Sequence, residues 1–301
     1  MLGSFQVFEG KESRLMSSAA FQAKAERPLV PSSPDIRSLV LVLTAQCNLR
    51  CIYSYQTAKN SRSMDWATLR ASIDFVLNSE AHEAQLMFIG GEPLLEWPML
   101  CRAVRHAGKR SPPGKQVKYA ITTNGLLITE QVAAFLDKHE FRIQLSFDGI
   151  VGAQDYRRKG TFAVMDRLLD RLRKEHMDLF EDRLQVCITL IPPAIPYLGE
   201  SVRYLVDKGV KEINVSPSLT PYPGWTCDCR AQLENQFLTM WDISLAHFKQ
   251  TGEVPLLLFK KAKNEKRHRR RTLPRPARSD RKARVDYQVE FPEGSIGSDP
   301  I

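Results

Sequence analysis

The sequence predicts an α/β protein built as a partial (β/α)6 parallel barrel. Apolar, β-rich runs alternate with helical patterns between residues 37 and 252, the signature of βα units on a parallel sheet. Runs such as Leu41–Leu43 and Val186–Ile191 are near-continuously apolar, as strands buried on both faces are. Six βα units joined right-handedly give an open or partial barrel.

Residues 1–36 hold Pro28, Pro31 and Pro34 and no sustained period. They read as an N-terminal leader with one short strand. Six strands are then predicted, at 38–44, 85–89, 118–122, 142–147, 184–191 and 212–216. Helical patterns fall at 65–78, 95–110, 129–139, 162–177 and 197–208, and a last helix is expected at 230–250. Asp65 and Thr129 each stand just before an apolar-periodic stretch, as helix N-caps do. Gly209 stands where a helix should end. The core domain is therefore 37–252. Residues 253–301 read as a basic tail without structure of its own, since no apolar face can be drawn through it.

Composition excludes several classes. With 301 residues and 43% apolar side chains, the chain can bury a barrel-sized core. No run of 18 apolar residues occurs, so no membrane span is expected. No secretory pattern opens the chain, and the expected location is the cytoplasm. The net charge of +9 is local: residues 260–301 carry 13 Lys/Arg against 6 Asp/Glu, leaving +2 for the rest. That tail could bind phosphates without reading sequence. No aromatic interleaving supports specific recognition, so nucleic acid is a weak expectation. Six cysteines are too sparse for a disulfide scaffold, and the close pairs Cys47/Cys51 and Cys227/Cys229 point to metal or redox chemistry. Cys101 and Cys187 lie in apolar periodic segments and read as buried small hydrophobes.

In barrels of this class, chemistry sits on the loops after the strands. After the first strand comes Cys47-Asn48-Leu49-Arg50-Cys51-Ile52-Tyr53-Ser54. Two cysteines four apart in a tight loop can ligate one iron–sulfur cluster, and a cubane on three thiolates keeps an open iron. After the second comes Gly90-Gly91-Glu92-Pro93. Paired glycines there allow close backbone approach to a ligand, and the alternative is a plain turn into a helix at Pro93. Thr122-Thr123-Asn124-Gly125 follows the third strand and Ser146-Phe147-Asp148-Gly149 the fourth, with Gln154-Asp155-Tyr156-Arg157-Arg158 downstream.

These four segments, in this order, resemble the radical S-adenosylmethionine (radical SAM) family over roughly residues 38–250. The nearest likeness is to peptide- and protein-modifying maturases related to anaerobic sulfatase-maturing enzymes. The family pattern is Cys, three residues, Cys, a pair ending in an aromatic, then Cys. Cys47, Cys51 and Tyr53 match it, and Ser54 stands where the third cysteine belongs. The resemblance implies a [4Fe–4S] cluster held at positions 47, 51 and 54, with SAM beside it. It implies SAM-binding roles for Gly90, Gly91, Glu92, Ser146 and Arg158. Arg158 aligns with the arginine that steadies the SAM carboxylate, a task suited to a guanidinium fork. It implies an external electron donor, a 5′-deoxyadenosyl radical and a peptide or protein substrate. Relatives usually carry a cysteine-rich C-terminal extension. Cys227 and Cys229 cannot complete a four-thiolate cluster, and no auxiliary cluster is expected.

An alkoxide is a hard, basic ligand poorly matched to an iron–sulfur cluster. Ser54 therefore leaves three readings: a tolerated ligand on a labile cluster, a non-catalytic binding module that keeps the barrel, or an error in a sequence whose tail also changes composition abruptly.

Overall fold

The computed structural model describes residues 5–9, 12–15, 36–54, 62–218, 220, 222, 224–260 and 285–289. Six parallel strands, β3 to β8, alternate with helices, the α/β plan of a partial barrel. The strands are β3 (Ile36–Val42), β4 (Glu83–Ile89), β5 (Gln116–Thr123), β6 (Arg142–Ser146), β7 (Leu184–Leu190) and β8 (Ile213–Pro217). Before them lie β1 (Phe5–Glu9) and β2 (Glu12–Leu15), an antiparallel pair, so the leader holds two strands. Each of the six stands within two residues of its predicted start.

The helices are α1 (Trp66–Leu77), α2 (Trp97–Arg110), α3 (Glu130–Lys138), α4 (Val151–Gln154), α5 (Phe162–Glu175), α6 (Met177–Asp182), α7 (Leu198–Asp207) and α8 (Cys227–Thr251). Their starts follow from local chemistry. Asp65 accepts from the Thr68 N–H at 2.9 Å, and Thr129 accepts from the Val132 N–H at 3.3 Å. Each satisfies a donor that the first turn cannot pair internally. Gly209 has φ 87° immediately after α7, the left-handed conformation that ends a helix at least cost with glycine. The four-residue α4 and the six-residue α6 carry too little period to be read from sequence.

The chain forms two compact units. One holds Met1–Gln46, Lys59–Ala120 and Arg281–Ile301; the other holds Cys47–Ala58 and Ile121–Asp280. In the first, β3 pairs in parallel with β4, Leu41 opposite Phe88. Leu39, Leu41, Leu86 and Phe88 are buried together with Leu69, Ile73, Leu100 and Ala103 from α1 and α2. Lys115 closes the end of α1, its Nζ donating to the carbonyls of Val76, Leu77 and Ser79 at 3.2, 2.8 and 2.7 Å. In the second unit, β6, β7 and β8 run parallel, with Ser146 opposite Cys187 and Thr189 opposite Ser216. Their core is Leu145, Phe147, Val186 and Ile213 with Met165, Leu169, Leu172 and Leu205 from the helices.

The C-terminal region differs from its composition. Past Gly252 the chain returns to β8: Ile213 N donates to Pro255 O at 2.9 Å and Leu256 is fully buried. Val285–Val289 forms β9, parallel to β3 and antiparallel to β1. The Arg269-Arg270-Arg271 run lies outside the described residues.

Candidate functional site

In the first unit, Gly90 and Gly91 seat against the end of β3. Gly91 N donates to Thr44 O at 2.8 Å and Glu92 N to Gln46 O at 2.7 Å. A Cβ on Gly91 would stand 2.1 Å from Gln46 O, and one on Gly90 2.5 Å from Thr44 O. Both obstacles are backbone, so neither position admits a side chain without moving the strand end. The glycines thus serve close chain packing beside the residues that lead into Cys47. Thr44 adds a bridge to Ser63, with Oγ–Oγ at 3.0 Å. Glu92 is fully buried, and its carboxylate accepts the Leu94 N–H at 3.1 Å. It caps the 3-10 turn Pro93–Glu96.

In the second unit, the Cys47–Ser54 loop is tied down along its length. Leu49 N donates to Cys47 Sγ at 3.3 Å, and Asn124 Nδ2 approaches the same sulfur at 3.9 Å. Hydrogen bonds to a ligating sulfur are one means by which proteins tune iron–sulfur centres. Asn124 Nδ2 also donates to Asn48 Oδ1 at 2.7 Å, and Arg158 Nη1 to Asn48 O at 2.9 Å. Ser54 N turns back to Cys51 O at 3.2 Å. The Tyr53 carbonyl accepts from Thr220 Oγ1 at 3.1 Å and Ser218 Oγ at 3.4 Å, beyond β8.

The Tyr53 ring enters the interior, packed with Ile191 and Ala194. Its hydroxyl donates to Asp148 Oδ2. Asp148 is 1% exposed and makes three further contacts. Arg157 Nη2 reaches its Oδ1 at 2.8 Å, Arg157 Nε reaches Oδ2 at 3.2 Å, and Thr189 N reaches Oδ1 at 2.9 Å. Burial favours the neutral form of Arg157, but the Asp148 carboxylate outweighs it and holds the guanidinium charged. Burial also pushes the Tyr53 phenol far above its usual range, so it stays a donor. The Arg157 guanidinium lies 5.3 Å from the Tyr53 ring centroid, a cation–π approach. Gln154 accepts from Asp148 N and donates to Thr161 Oγ1, both at 3.0 Å.

Of the residues expected at the site, Cys47, Cys51 and Ser54 share this loop, and Arg158 reaches it through the Asn48 carbonyl. Ser146 ends β6 and is half-buried. Arg157 was missed. Ala153, Gln154, Arg157 and Thr161 are buried while Arg158 to Gly160 are exposed; three of these four buried residues are polar, so no apolar period marked Arg157 as facing inward. Cys101 and Cys187 are both half-buried, and burial raises the thiol pKa of each. Cys227 is exposed and Cys229 buried.

The donor chemistry tests the fit of a cluster. The loop offers two thiols and the Ser54 hydroxyl. Among the described residues, no group of three or more His, Cys, Asp or Glu side chains is placed to hold a metal ion. With Cys47 and Cys51 as its only cysteines, the loop's donor set is one thiolate short of the three that hold a cubane with an open iron.

The Radical SAM superfamily model matches residues 41–194. The chain belongs to the radical SAM superfamily, whose members use a [4Fe–4S] cluster and SAM. An uncharacterised protein of Methanocaldococcus jannaschii is 30% identical over 181 residues, covering 60% of this chain and 62% of that one. A cysteine-type anaerobic sulfatase-maturating enzyme of Clostridium perfringens is 24% identical over 201 residues, covering 62% of this chain and 53% of the relative. The chain thus spans less than two-thirds of their length. The solved structure of anSMEcpe with bound AdoMet and the Kp18Cys peptide shares the fold at TM-score 0.65 and 21% identity, covering 75% of this chain and 65% of that one. No helix among the described residues is long and apolar enough to cross a membrane.

Proposed function

We propose that this chain is a radical SAM protein of the kind that modifies a peptide or protein side chain, with its third cluster ligand replaced by Ser54. The observation that carries it is the Cys47–Ser54 loop. Asn124, Asp148, Arg158, Ser218 and Thr220 hold it at five points, a degree of fixing that a plain surface loop does not need. The peptide substrate is supported by the sulfatase-maturating relative and by the peptide in the anSMEcpe structure. SAM binding is assigned to Gly90, Gly91, Glu92, Ser146 and Arg158, and the electron comes from an external donor.

A cluster, if bound, would be held by Cys47 and Cys51 with Ser54 at the third position, and would supply the electron for reductive cleavage of SAM. The chain's own residues bind, orient and exclude water around that chemistry. Arg158 does two things: one nitrogen fixes the Asn48 carbonyl, and its remaining donors are free to meet a carboxylate. The second reading, a binding module without catalysis, is favoured by the missing thiolate.

Anaerobic reconstitution with iron and sulfide separates the two readings. The parent protein is expected to take up little iron and to make little 5′-deoxyadenosine, and Ser54→Cys to gain both. A variant that gains iron but makes no 5′-deoxyadenosine supports the binding module.

A further inference from the structure

Helix α8 carries apolar residues on two faces. Met240 and Ile243 are buried in the second unit. Leu238, Trp241, Leu245 and Phe248 are 65%, 50%, 38% and 39% exposed. Their spacing of three, four and three residues sets them in one stripe along three turns. Trp241 is steadied edge-on by Phe259 at 5.2 Å, so the stripe is a shaped surface. Phe237, 37% exposed, widens it. Large rings cover ~150–250 Å² each when fully buried. At these exposures the stripe presents roughly 400 Å² per copy, in the range where an exposed apolar patch marks an interaction site.

We infer that α8 pairs antiparallel, about a two-fold axis at Leu245, with α8 of a second copy of this chain. The sequence along the stripe is self-complementary in that register. Leu245 meets Leu245 of the second copy. Four residues before it stands Trp241 and three after it Phe248, so the two rings fall side by side across the axis. On the opposite flank Asp242 lies three residues before Leu245 and Lys249 four after it. Pairing brings each Asp242 beside the other copy's Lys249, twice by symmetry. Leu238 falls over Gly252, where a Cβ would have nothing within 4 Å, so there is room for it. A parallel pair sets the charged flank against the aromatic one instead. The apolar area is about half of the ~800 Å² per partner of a standard interface, so association is expected to depend on concentration in the micromolar range.

Sedimentation velocity of the full chain, with reductant present to keep Cys227 from cross-linking, tests this. The expected result is a monomer–dimer equilibrium that Leu245→Glu abolishes while leaving the circular dichroism spectrum unchanged. Asp242→Lys and Lys249→Asp each weaken the dimer roughly tenfold or more, because one attraction becomes a repulsion at two symmetric places. The double reversal restores it. Asp242 and Lys249 are exposed, so these variants keep the test alive if Leu245→Glu does not fold. A monomer at every concentration overturns the proposal. So does a dimer indifferent to Leu245→Glu, an open-ended polymer, or a double reversal no tighter than the single ones.

Discussion

The Tyr53 hydroxyl donates to Asp148, 95 residues further along the chain, and both side chains are enclosed in the core. The bond joins the aromatic position of the cysteine loop to the turn after β6. Arg157 completes the group by neutralising Asp148 at 2.8 Å. A buried carboxylate without its partner is far costlier than an exposed one.

Arg157→Met is therefore expected to cost about 3–5 kcal/mol of stability, the typical penalty for stripping one partner from a buried pair. Tyr53→Phe should cost less, ~1.5–3 kcal/mol, because Asp148 keeps Arg157 and the Thr189 N–H. Urea unfolding measures both. If the two variants unfold at the parent's midpoint, the pair is not structural.

Adjacent in sequence, Arg158 is expected to behave oppositely. It is exposed, so Arg158→Met should leave the unfolding midpoint nearly unchanged while weakening SAM binding by calorimetry. Undiminished SAM affinity would remove Arg158 from the site.

Gly91→Ala should destabilise by at least the upper end of ~1–3 kcal/mol, since its Cβ meets the Gln46 backbone. Gly108→Ala is the control. It lies in α2 with nothing within 4 Å of an added Cβ, and alanine there should stabilise by ~0.4–1 kcal/mol. Thermal melts of the two variants are expected to move in opposite directions.

Asp137 gives a pH dependence. Burial raises its pKa, but hydrogen bonds from His176 and Arg183 outweigh burial and hold the carboxyl below its usual range. A carboxyl depressed in the folded state adds stability above its unfolded pKa of about 3.9, and that stability is lost as pH falls through the folded value. Asp137→Asn should lower the melting temperature at neutral pH and flatten its decline below about pH 4. An unchanged acid limb would show that Asp137 does not contribute to it.

The order of strands and helices was legible in the sequence because each element carries a local signal: the apolar run of Val186–Ile191, the caps at Asp65 and Thr129, the glycine after α7. The cysteine loop and the serine within it were legible too, since spacing is a property of the chain alone. What the tertiary structure decided is what each side chain meets. Gly90 and Gly91 were expected to face a ligand, and only the structure shows that their Cα faces also pack on the backbone of Thr44 and Gln46. Arg157 and Arg158 are the same residue type one position apart, and only the turn after α4, which buries one and exposes the other, separates an ion pair in the core from a guanidinium at the cysteine loop. Leu256 sits beyond the last helix in a stretch whose composition turns basic, yet it is fully buried, because burial depends on where the chain returns to β8 and composition does not record that.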